Sequence, residues 1–79
     1  MPRLKISEKE RKRRELDAAI RAGMAREGIR SAEELGARIG IKRDPMNRRM
    51  SRKTAWKFEE ICDISRVLHF SDAEKARIL

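Results

Sequence analysis

The sequence has no tyrosine, one tryptophan, two phenylalanines and one cysteine in 79 residues. With one thiol, Cys62, an intramolecular disulfide is excluded, as is a cysteine-based zinc site, and the lone His69 supplies no second ligand. There is no phosphate-cradling glycine loop and no paired His/Glu motif, so the chain is expected to be no enzyme and to need no metal, cofactor or small-molecule ligand. No apolar run approaches a membrane span, and Met1-Pro2-Arg3 is not followed by the apolar core of a signal peptide, so a cytoplasmic protein is expected. Aromatics are 4% and charged residues 43%, which leaves a core of Leu, Ile, Ala and Met and favours helices over sheets. A single domain over 1–79 is expected. A domain of that length buries only about 60% of its unfolded surface.

The net charge of +8 is unevenly distributed. Residues 1–41 hold eleven Lys/Arg against seven Asp/Glu, residues 42–57 seven against one, and residues 58–79 three against five. A basic block of sixteen residues beside an acidic end suits a polyanion-binding face opposed by a non-binding one. Solubility alone does not require that segregation.

Helix signals divide the chain into about five short elements. Ser7-Glu8-Lys9-Glu10 has the form of a capping box and opens a helix to about Glu27, with Leu16, Ala19, Ile20, Gly23 and Met24 on one stripe. Glu10/Arg14 and Arg13/Asp17 are spaced to pair across single turns, and Gly28 supplies the stop. A second box, Ser31-Ala32-Glu33-Glu34, opens a helix that buries Leu35 and Ile39, with Ala32 and Gly36 small enough for another helix to cross closely; Gly40 ends it. Asp44-Pro45 has the form of an N-cap followed by a first-turn proline, giving a third helix from about Arg43 or Pro45 to about Met50, with Met46 and Met50 inward. Ser51 to Lys53 is expected to be a loop. Thr54 is expected to cap a fourth helix that places Phe58, Ile61, Cys62, Ile64, Ser65 and Leu68 near one face, with Trp56 off the stripe. Ser71-Asp72-Ala73-Glu74 begins a last helix ending in Ile78-Leu79.

Two short helices joined tightly as L-G-x-x-I-G-I-x(4)-M form a helix-turn-helix pattern, which holds the second helix out so that its first turns enter a DNA major groove. Its carriers are Ser31, Glu34, Leu35, Gly36, Ile39, Gly40, Ile41 and Met46, followed by the Ile61/Ile64/Leu68 helix. On these residues the chain from about Glu15 to Leu68 resembles the Cro/phage-repressor-type helix-turn-helix family, XRE-like and lambda-repressor-like. The resemblance implies an all-α bundle of about five helices, a dimeric DNA-binding regulator, often phage-encoded, and a bacterial or phage-infected host cell. Lys42 stands where such proteins commonly carry a Ser or Thr cap, and Arg49 where many carry an apolar residue. That moves the expected helix start toward Asp44, with Met50 replacing the missing contact.

Arg43, Asp44, Asn47 and Arg48 match the family's base-contacting positions, and their chemistry fits: Arg suits guanine, Asn adenine, and Asp accepts from cytosine N4. Asp44 also reads as the helix cap. Ser31, Lys42, Arg49, Arg52 and Lys53 are the expected phosphate contacts. Residues 1–6 and the basic start of the first helix form a candidate arm. The expected partners are a palindromic double-stranded operator and a second copy, through residues 54–79, where Trp56, Phe70, Ile78 and Leu79 look free. The alternative is a protein-interaction module, antitoxin-like or inhibitory, on the same fold. A membrane-surface helix fits poorly, because the Leu16 to Met24 stripe is narrow and lacks aromatic anchors.

Overall fold

The structure, a computed structural model, describes residues 7–78. Those residues form an all-helical bundle of five helices, with no strand among them: α1 (Glu8–Glu27), α2 (Ala32–Ile39), α3 (Arg43–Met50), α4 (Phe58–Val67) and α5 (Asp72–Ile78). The candidate arm at 1–6 and Leu79 lie outside the described residues.

Each helix start is a local bargain over free amides. Ser7 Oγ accepts from the Glu10 amide at 3.1 Å, and Ser31 Oγ accepts from Glu34 at the same distance. Neither expected capping box closes on its serine. The Glu10 carboxylate turns to Arg14 and Arg52, and that of Glu34 accepts from the Arg30 amide instead. Only Ser71 and Glu74 reciprocate fully, at 3.1 and 3.0 Å. The fourth helix begins at Phe58, not after Thr54: Glu60 reaches back to the Lys57 amide at 2.9 Å, which fixes the start there.

Four helices end through a left-handed residue whose successor's amide folds back on the helix. Gly28 (φ 68°) and Gly40 (φ 76°) do this as expected. Arg52 (φ 68°) and His69 (φ 54°) do so without glycine, and the amides of Lys53 and Phe70 close on the carbonyls of Arg48 and Ser65 at 2.9 and 3.0 Å.

Leu16, Ala19 and Ile20 of α1, Leu35 of α2, Met46 of α3, Ile64 and Leu68 of α4 and Ile78 of α5 share one core with Ile29 and Phe70. α2 packs on both α3 and α4, while α5 lies along α1. Two expectations fail here. Phe58, assigned to the core, is 66% exposed because α4 starts with it and its side chain precedes the buried stripe. Phe70 and Ile78, read as free for a subunit contact, are buried. Trp56, read as free for the same contact, is half-buried at the core's edge.

Gly23 lets α1 lie close against Leu68 at the end of α4, since a Cβ placed there would lie 2.7 Å from Leu68 Cβ. At an exposed helical site, replacing glycine by alanine stabilises by about 1 kcal/mol. At this one, overpacking of about 1–3 kcal/mol opposes that gain. Gly23→Ala is therefore expected to lower the urea midpoint, whereas a raised midpoint would mean that the α1 to α4 crossing is looser than described.

Candidate nucleic-acid interface

The α2–turn–α3 unit is set by what its glycines lack. A Cβ at Gly36 would meet the Ile41 carbonyl oxygen at 2.7 Å and Met46 Cγ at 3.0 Å, so only glycine lets α2 lie against the turn and the first turns of α3. The Gly36 carbonyl accepts the Ile41 amide at 2.8 Å, and Gly40 takes the left-handed conformation that reverses the chain.

α3 begins at Arg43, with Lys42 as its N-cap, and the first helical bond runs from the Met46 amide to the Lys42 carbonyl at 3.0 Å. This corrects the later start at Asp44: Asp44 is the second helical residue and caps nothing. Pro45, third in the helix, still falls where no amide partner is needed. A lysine side chain has no acceptor, so no side chain caps α3. Its first-turn amides at Arg43 and Asp44 are left for an external acceptor, and a helix N-terminus favours an anion there.

Met46 is fully buried and Met50 half-buried on the inner side of α3, with Arg43, Asp44, Asn47 and Arg48 exposed on the other. Their spacing, two adjacent pairs one turn apart, puts all four on one outer face. The four expected base-reading residues are thus brought together. Lys42 precedes them and Lys53 follows the helix end; both are exposed. Ser31 is exposed too, and its oxygen already accepts from Glu34 while its hydroxyl proton stays free to donate, between the exposed Arg30 and the carboxylates of Glu33 and Glu34.

Arg49 and Arg52 are placed differently. Arg49 keeps only 13% of its side chain exposed and turns inward, with Nε 2.9 Å from Glu60 Oε1 and an NH1 donating to the Pro45 carbonyl at 3.0 Å. That ion pair occupies a place where the resembled family often carries an apolar residue, and it commits Arg49, an expected phosphate contact, to a carboxylate of its own chain. Burial disfavours the charged Glu60, but the Arg49 hydrogen bond, the Lys57 amide and the nearby charges outweigh it and hold the carboxyl below its ordinary value. Arg52 donates to Glu10 Oε1 at 2.8 Å and to Asp17 Oδ2 at 2.7 and 3.2 Å. Asp17 also meets Arg13 at 3.0 Å, and Glu10 meets Arg14 at 3.4 Å, the two pairs that spacing along α1 foretold.

Of the seven cations in residues 42–57, five then remain without an ion pair among the described residues: Lys42, Arg43, Arg48, Lys53 and Lys57. Lys57 went unrecognised in sequence because it was read as lying inside α4. Asp44 is the lone carboxylate from Leu35 to Lys57. No helix among the described residues is long and apolar enough to cross a membrane. Comparison with family models, with curated proteins and with solved structures gives no match.

Proposed function

We propose that the protein binds double-stranded DNA with α3 in the major groove and regulates transcription by occupying its site, in the manner of a Cro-like repressor of a phage or mobile element. The observation that carries this reading is the outer face of α3. Arg43, Asn47 and Arg48 stand exposed on a helix anchored from behind by Met46, with Lys42 and Lys53 at its two ends. Side chains with no bond among the described residues keep their donors free, the fixed helix sets where they start, and Arg and Asn are the types that read guanine and adenine edges.

An eight-residue helix contacts only a few base pairs, so useful discrimination calls for two copies on a palindromic site. With Phe70 and Ile78 buried, Phe58 is the exposed large apolar side chain among the described residues that could serve the contact between them. The same residue is what a protein-interaction module would use.

Salt separates the two readings. If three to five of the free cations meet phosphates, log affinity should fall with log salt at a slope of about −2.7 to −4.5 per subunit, a loss of about 40- to 500-fold between 50 and 200 mM. Fluorescence anisotropy on a labelled duplex measures it. A flat response would set aside DNA binding in favour of protein interaction.

A further inference from the structure

Arg52 is the most heavily partnered cation of the basic block, and its partners come from far along the chain. Its guanidinium bridges Glu10 and Asp17, 42 and 35 residues away. These carboxylates lie two turns apart on α1, so one planar group spans them. The contact is fixed from the backbone side as well. Arg52 closes the end of α3 in a left-handed conformation (φ 68°) that an arginine adopts only against a steric penalty. Its own amide returns to the Arg49 carbonyl at 3.2 Å, and the next amide, of Lys53, to Arg48 at 2.9 Å. Beside this junction the Arg13 guanidinium donates to the Arg49 carbonyl, tying α1 to the last turn of α3 a second time.

We propose that Glu10 and Asp17 withhold Arg52 from DNA, making it a positioning residue that clamps the exit of α3 to α1, while its neighbour Lys53 is left to meet the phosphate. The inference rests on the DNA-binding reading above and sharpens it, because two adjacent basic residues in one loop receive opposite roles. Arg52 has its hydrogen-bond donors directed at two anions of its own chain; Lys53 is exposed and has no ion pair among the described residues. Exchanging those carboxylates for one phosphate would leave Glu10 with Arg14 alone and Asp17 with Arg13 alone, two less fully neutralised anions next to the polyanion. Repulsion of that kind disfavours the exchange.

The slope of log affinity against log salt on a random-sequence duplex counts phosphate contacts, and a purely structural residue does not move it. Arg52→Gly suits the left-handed backbone while removing the side chain. Its slope should equal that of the unaltered protein, whereas Lys53→Ala should flatten the slope by about 0.9. The double variant Glu10→Gln/Asp17→Asn frees the guanidinium and should steepen the slope by about 0.9, with a several-fold gain in affinity at low salt. That gain must vanish when Arg52→Gly is added. It must also be absent from Glu15→Gln/Glu59→Gln, which changes the net charge equally at carboxylates that make no ion pair among the described residues. Circular dichroism confirms that each variant keeps its helices, and the carboxylate variants decide the matter by themselves should Arg52→Gly not fold. A slope flattened by Arg52→Gly, or unchanged on removing the two carboxylates, overturns the inference. Unaltered protein that binds no duplex at all would instead remove the DNA-binding reading beneath it.

Discussion

Met46→Ala is expected to destabilise the protein by about 2–5 kcal/mol, the usual cost of emptying a fully buried methionine site. Met46 is completely shielded from solvent and is the fully buried residue of α3, lying against Gly36 of α2. Natural domains are stable by only about 5–15 kcal/mol, and a 79-residue chain belongs at the low end of that range, so the truncation removes a large share. Helix propensity runs the other way, since alanine favours the helix slightly over methionine, which makes the loss one of packing. Met50→Ala, at a half-buried site on the same side, should cost clearly less. Urea unfolding of both variants gives the comparison. A Met46→Ala loss below about 1 kcal/mol would show that α3 is not seated on α2 as described.

Arg48→Ala should leave stability nearly untouched and weaken binding to a preferred duplex by about 1–3 kcal/mol, or about 5- to 150-fold, with little effect on random DNA. The prediction follows from the position of the side chain. Arg48 is exposed one turn beyond Asp44 on the outer face, and its side chain has no ion pair among the described residues, so truncation breaks no internal contact there. Its carbonyl, which receives the amides of Lys53 and Thr54, remains in place. Lys53→Ala lies beyond the helix and should weaken preferred and random duplexes equally. The preferred duplex comes from selection out of a random pool. Equal losses for Arg48→Ala on both DNAs would move base reading toward Arg43 and Asn47.

The order of elements was legible because each terminus is marked by residues adjacent in sequence. Ser7, Ser31 and Ser71 cap from three residues away, and Gly28 and Gly40 supply a left-handed conformation at the position where it is used. The outer face of α3 was legible for a similar reason, since helical periodicity sets Arg43, Asp44, Asn47 and Arg48 opposite Met46. What stayed hidden depends on distant partners. Nothing near Arg49 announces Glu60, eleven residues on, and nothing near Arg52 announces Asp17 or Glu10, so a block of seven cations looked uniformly available. Thr54 and Asp44 are good capping residues that the chain does not use as such. Lys57 and Lys42 take those places because Glu60 claims the first and the turn after Gly40 fixes the second. Misplacing the start of α4 then put Phe58 in the core and hid the exposed aromatic.

The central claim is that α3 presents one outward face to DNA while α2 holds it from behind and α1 ties down its end. It is tested most directly by following the backbone amides of the folded protein by NMR as a selected duplex is added. The account predicts that the largest changes fall on Lys42 to Arg48, with smaller ones at Arg30, Ser31 and Lys53, and that the amides of α5 stay still. Changes centred on Phe58 and α5, with the amides of α3 unmoved, would contradict it.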